Sequence, residues 1–216
     1  MVDAARQPRI DVRTFTEVEK VEGFVGNFKV TLREKAKHVL ADRCNGCGDC
    51  ATACPVEVPN YFEMNLAPRK AAYVPMSQSV PLIYTIDTDA CIHCYKCVEA
   101  CGALEAIDFS QEDRLVQEDI GAIVVATGFG HFDPSVMDEY GYGRFPNVIT
   151  SMEMERLNNS AGPTSGNLIR PSDHKNPQKL AFINCVGSRD KRYVKSCSNF
   201  CCMYSIKNAV LLKQMN

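Results

Sequence analysis

The pattern that most constrains this chain is a cysteine run that occurs twice. Cys44, Cys47, Cys50 and Cys54 have the spacing C-x2-C-x2-C-x3-C and are followed by Pro55. Cys91, Cys94, Cys97 and Cys101 repeat that spacing and are followed by Gly102. Three thiolates two residues apart wrap three corners of one iron–sulfur cubane, and the fourth cysteine points toward a neighbouring cluster. The runs therefore predict two [4Fe–4S] clusters with crossed ligand sets: Cys44, Cys47, Cys50 and Cys101 for one, and Cys91, Cys94, Cys97 and Cys54 for the other. Gly46 and Gly48 let the first run curl tightly and present amides to the cluster's negative charge. The competing reading is a pair of zinc sites, but structural zinc prefers two cysteine pairs separated by a longer loop. His93, inside the second run, reads as an exposed bystander because four thiolates already complete the set. The missing proline after Cys101 and the long spacer between the runs depart from a minimal ferredoxin without removing a ligand.

Composition narrows the setting. Twelve cysteines in 216 residues stand out. The segment Met1–Ile10 has no apolar export signal, so the thiols are expected in the reducing cytoplasm, where clustered cysteines are metal ligands more often than disulfides. A formal charge of −2 gives no basic footprint for nucleic acid or for an anionic membrane. No apolar run approaches the roughly 18 residues of a membrane-spanning helix. The apolar and charged fractions are those of an ordinary globular protein.

Around the cysteine runs the chain alternates between strand-like and irregular segments. Val18–Glu22 and Asn27–Leu32 flank a glycine-containing turn at Gly23–Gly26, which predicts a hairpin. Ile120–Ala126 and Lys179–Val186 are short continuous apolar runs, the pattern of strands buried on both faces. Helices are predicted over Ser151–Asn158 and Cys201–Lys213, the latter with Met203, Ile206, Ala209, Val210 and Lys213 at helical spacing. A third cysteine group comprises Cys185, Cys197, Cys201 and Cys202. Its spacing is compatible with a further cluster, a redox dithiol or buried small hydrophobes. The strand-like run that ends at Ala126, Thr127 and Gly128 would let a dinucleotide approach the backbone, yet no G-x-G-x-x-G follows any predicted strand.

Several of these segments resemble the A subunit of heterodisulfide reductase, an iron–sulfur flavoprotein family. They are CNGCGDCATACPVEVPN, RKAAYVPMSQSVPLIYTID, GAIVVATGF, EYGYG with NVITSMEMERL, FINCVGSRD and CSNFCCMYSIKNA; the N-terminal VEGFVGNFKV is similar as well. The resemblance implies an α/β fold with an inserted α+β ferredoxin-like domain and an incomplete thioredoxin-reductase-like core of two dinucleotide folds. Residues 1–38 and 111–135 would belong to an FAD-binding domain, and 39–110 to the ferredoxin insertion. Residues 136–216 would form a linker and the start of a second nucleotide-binding-like domain. The resemblance further implies a third [4Fe–4S] cluster on Cys185, Cys197, Cys201 and Cys202. FAD would contact Ala126, Thr127 and Gly128, with Lys207 near its reactive ring; the alternative for Lys207 is a solvated helix lysine. The chain reads as a middle portion or split form of such a protein, with another chain supplying the FAD phosphate-binding half. Its implied role is electron relay between FAD and partner subunits, ferredoxin, or hydrogenase- or dehydrogenase-type donors in a bifurcating complex. The alternative is a two-cluster electron carrier without a flavin of its own.

Overall fold

The computed structural model describes residues 2–128 and 130–215. Phe129, at the end of the GAIVVATGF segment, lies outside the described residues. The chain divides into two compact units, one formed by Met1–Phe62 with Pro68–Ala126 and the other by Glu63–Ala67 with Thr127–Asn216.

In the first unit a short helix α1 (Val2–Arg6) precedes the predicted hairpin of β1 (Thr16–Phe24) and β2 (Asn27–Glu34). Phe24 pairs with Asn27, so the connection is the two residues Val25 and Gly26. The other edge of β2 pairs antiparallel with the strand Arg114–Ile120, giving a three-stranded sheet with β2 at its centre. Val30, in the middle of β2, is its buried residue, while Val18, Val21 and Leu115 are exposed.

The chain leaves this sheet and enters the cysteine-rich segment at His38–Leu40, and it returns beside the same residues. Leu40 N donates to Ala106 O at 2.7 Å and Asp108 N donates to His38 O at 3.0 Å. Within the segment lie helix α2 (Asp49–Ala53), the two-stranded pair β3 (Glu57–Pro59) and β4 (Pro68–Lys70), the pair β5 (Ala72–Tyr73) and β6 (Thr85–Ile86), and helix α3 (Lys96–Cys101). The helices α2 and α3 pack on each other. The core beneath them is small and holds Val39, Ala72, Ile86 and Ala106 together with Cys50 and Cys97. Cys50 and Cys97 occupy equivalent places, each the second residue of its helix. The sheet strand Arg114–Ile120 that follows is β7.

The second unit contains two longer helices. Helix α4 (Ser151–Leu157) starts at a capping box in which Thr150 Oγ1 accepts from Glu153 N and the Glu153 carboxylate accepts from Thr150 N. It buries Met154 and Leu157. Arg156 donates twice to the Glu63 carboxylate, at 2.6 and 2.8 Å, and both side chains are largely buried. Helix α5 (Cys201–Met215) buries Cys201, Ser205, Asn208 and Leu212.

Two expectations are corrected. Ile120–Ala126 is not a buried strand: β7 ends at Ile120, and Val124 and Val125 are 90% and 80% exposed. Lys179–Val186 forms no strand either, and Leu180, Phe182 and Ile183 are exposed. A central strand exists only through ladders to its neighbours, and among the described residues no strand lies beside either run. In α5 Met203, Ile206 and Val210 are exposed, and the buried stripe pairs the polar Ser205 and Asn208 with Cys201 and Leu212.

Candidate iron–sulfur sites

The two cysteine runs share one backbone path. Each is a loop entering a short helix, and in each the third and fifth residues take positive φ: Gly46 at 74° and Gly48 at 91°, His93 at 51° and Tyr95 at 58°. Curling a chain around three thiolates imposes this left-handed conformation whatever the residue. Glycine is needed in the first run for a second reason. A Cβ on Gly46 would lie 2.9 Å from Leu82, and one on Gly48 would lie 2.9 Å from the Tyr84 hydroxyl. The second run has no such wall and carries side chains there, packed as an aromatic group with Phe109. The His93 and Tyr95 ring centroids are 5.6 and 5.5 Å from that of Phe109.

The crossing of ligand sets predicted for the second cluster has a geometric counterpart. Cys54, from the end of the first run, lines the same concave space as Cys91, Cys94 and Cys97. That space opens to solvent and is walled by Val56, Ala72, Ile86 and Tyr95. On the other side Cys44, Cys47 and Cys50 lie close enough to influence one another. Cys101 packs against the same core as Cys44. Cys47 and Cys94 are exposed, and Cys50 and Cys97 are buried. Burial pushes the Cys50 thiol up to about 12, reinforced by Cys44, Cys47 and Cys97. Burial likewise raises the Cys97 thiol, with Cys91 adding to it. Tyr84 is raised by burial and by the thiolates of Cys50, Cys47 and Cys44 beside it. Among the described residues no three His, Cys, Asp or Glu side chains gather closely enough to hold a single metal ion. Two runs of four closely spaced cysteines supply the all-thiolate donor set of two cubanes, whereas structural zinc prefers cysteine pairs separated by a longer loop. The residues present fit the cluster.

Backbone amides already point at cysteine sulfurs. His93 N donates to Cys91 Sγ at 3.4 Å and Ala106 N to Cys101 Sγ at 3.3 Å. The third group contains the same arrangement, with Asn199 N donating to Cys197 Sγ at 3.4 Å. Its cysteines are brought together at the start of α5. The Cys202 thiol is pushed up chiefly by Cys201, with Cys185 and Cys197 adding to it. Cys201 is drawn down by the nearby Ser198 hydroxyl first and by the Cys185 backbone second.

Lys207 is not a free helix lysine. It is ion-paired with Glu155 of α4, whose Oε1 also accepts from Asn208 Nδ2 at 2.9 Å. Ala126, Thr127 and Gly128 are exposed and belong to no strand. Sequence reasoning missed Leu82 and Tyr84 as a wall, Ser198 beside Cys201, and Glu155 as the partner of Lys207. The last contact spans 52 residues and leaves no local signal.

Residues 43–107 match the 4Fe–4S dicluster domain family. The whole chain is similar to longer proteins. It is 50% identical over 99% of its length to the iron–sulfur A subunit of CoB–CoM heterodisulfide reductase from Methanocaldococcus jannaschii, covering 33% of that protein. It is 51% identical over 99% of its length to the second of two such A subunits from Methanopyrus kandleri, covering 33% of it. Over its whole length the chain is thus similar to heterodisulfide reductase A subunits. A more distant relative, the A subunit of the ferredoxin/F420H2-dependent CoB–CoM heterodisulfide reductase of Methanosarcina acetivorans, is 43% identical over 99% of the chain, which covers 27% of that protein. The chain thus spans about a third of the length of the first two relatives. No described helix is long and apolar enough to cross a membrane.

Proposed function

We propose that this chain is the iron–sulfur electron-transfer portion of a heterodisulfide-reductase-type complex. The observation that carries the reading is the gathering of Cys54 with Cys91, Cys94 and Cys97 around one concave space, within a segment matching a 4Fe–4S dicluster family. In it Cys44, Cys47, Cys50 and Cys101 hold one cluster, and Cys91, Cys94, Cys97 and Cys54 hold the other. Such clusters accept and release single electrons. The protein's part is to fix their spacing and to set their potentials through burial and N–H donors on sulfur. The exposed Cys47 and Cys94 edges are where electrons enter or leave toward ferredoxin or a hydrogenase- or dehydrogenase-type donor.

A third cluster on Cys185, Cys197, Cys201 and Cys202 extends the relay toward FAD. The reading draws on the convergence of these cysteines and on the Asn199 N–H that matches the bond His93 makes to Cys91. In the assembled protein, 122–126 and 179–186 become strands of a thioredoxin-reductase-like core completed by further polypeptide. Ala126, Thr127 and Gly128 then contact FAD, and Lys207, held by Glu155, faces its ring. Bound there, FAD would supply two-electron chemistry that can be divided between a high-potential acceptor, of the heterodisulfide type in the relatives' names, and ferredoxin. Cofactor analysis and turnover of the anoxically purified complex test this. Flavin, clusters at all three sites and flavin-dependent reduction are the expected result. Full activity without flavin would reduce the chain to a two-cluster carrier.

A further inference from the structure

Ser198 carries a buried hydroxyl beside the third cysteine group. Its hydroxyl oxygen is sealed from solvent and makes no well-formed hydrogen bond, although it lies near enough to Cys201 to influence that thiol. A serine shortly before a helix commonly caps it, but Ser198 does not: at the start of α5 Tyr204 N donates to Phe200 O at 3.2 Å. A hydroxyl hydrogen rotates to any acceptor within reach; Cys197 adjoins Ser198 in the chain, and the Cys201 thiol is the group that the Ser198 side chain acts on. Asn199 N already donates to Cys197 Sγ, so the segment presents one backbone donor and one side-chain donor among its cysteines. Buried polar groups without partners are rare in native folds. The acceptor missing from this site is one that arrives with a cluster.

We propose that the Ser198 hydroxyl donates a hydrogen bond to a sulfur of the third [4Fe–4S] cluster and holds that cluster's potential up. The inference rests on the reading of Cys185, Cys197, Cys201 and Cys202 as its ligands. Reduction adds one electron to the cluster, breaks no bond and moves no proton. The added negative charge falls largely on iron-bound sulfur, so a donor there stabilises the reduced form more than the oxidised one. Removing the donor makes the cluster harder to reduce.

The test is an EPR-monitored redox titration of the full protein, prepared anoxically, as wild type, Ser198→Ala and Ser198→Thr. A Cys202→Ala sample identifies which signal belongs to the third cluster. Ser198→Ala is expected to shift that signal to lower potential by about tenfold in the oxidised-to-reduced ratio, about 59 mV for a one-electron couple. Ser198→Thr, which keeps the hydroxyl, is expected to restore the wild-type value, and the ferredoxin-type signals are expected to stay in place. A third-cluster signal unmoved in Ser198→Ala overturns the role of Ser198 alone. A wild-type protein with no signal sensitive to Cys202→Ala overturns the third cluster, and the role of Ser198 falls with it.

Discussion

Cys54 and Cys91, which belong to different cysteine runs, line the same concave space. In the proposed crossed ligation neither run completes a site alone. The contact between α2 and α3 and the pairing of His38–Leu40 with Ala106–Asp108 hold the halves in this arrangement through the polypeptide itself.

Replacing one fourth cysteine should empty the site of the opposite run. Cys54→Ser is expected to remove the cluster bound by Cys91, Cys94 and Cys97 while leaving the other, and Cys101→Ser should do the converse. Iron quantitation with EPR on anoxically prepared full chain checks this. Loss of the cluster on the mutated run's own side would contradict crossed ligation.

The two runs should differ in tolerance at equivalent positions. Gly48→Ala places a Cβ against the Tyr84 hydroxyl at φ 91° and should cost about 1–3 kcal/mol. Adding Tyr84→Phe should recover part of that loss, because it removes the clash but not the backbone strain. Tyr95 already bears a side chain at positive φ. Tyr95→Ala should therefore lose only its packing on Phe109, roughly 0.5–1.5 kcal/mol beyond the buried area. Thermal or denaturant unfolding of the variants reads these costs.

The Cys50 thiol gives the metal-free protein a specific pH response. Its folded value of about 12 lies above its ordinary 9.0. Below pH 9 the thiol is protonated in both states and contributes nothing. Between about 9 and 12 the unfolded chain releases this proton and the folded chain keeps it, so stability falls as pH rises. Melting of metal-free protein across that range should show the decline, and Cys50→Ala should flatten it. At pH 8 alkylation should reach the exposed Cys47 and Cys94 well before Cys50.

The Glu63–Arg156 pair fastens a segment of the inter-run spacer to α4. Arg156→Met leaves a largely buried carboxylate without its bidentate donor and should cost about 3–5 kcal/mol. Replacing both residues, with Glu63→Leu added, should cost less than the single change. A double-mutant cycle by denaturant unfolding measures the difference.

What was legible in the sequence was local. The β1–β2 hairpin, the Thr150-capped helix and the cysteine loops are specified by neighbours within a few residues, and the described structure contains all three. The runs 122–126 and 179–186 were misread because continuous apolarity identifies a central strand only if flanking strands exist to pair with it. Val124 and Val125 have the side chains of such a strand but no ladder. For α5 the spacing identified a helix but not which of its faces is buried. Its Met203, Ile206 and Val210 have core spacing but are exposed, while Ser205 and Asn208 are buried by hydrogen bonds to Asn184 and Glu155. The partner of Lys207 and the wall beside Gly48 come from tertiary packing, which periodicity does not encode.

Iron, zinc and acid-labile sulfide measured together on the anoxically prepared full chain test most directly whether the paired cysteine runs hold cubanes. The account predicts iron and inorganic sulfide in equal amounts, filling at least the two crossed sites. Stoichiometric zinc with no labile sulfide would contradict it.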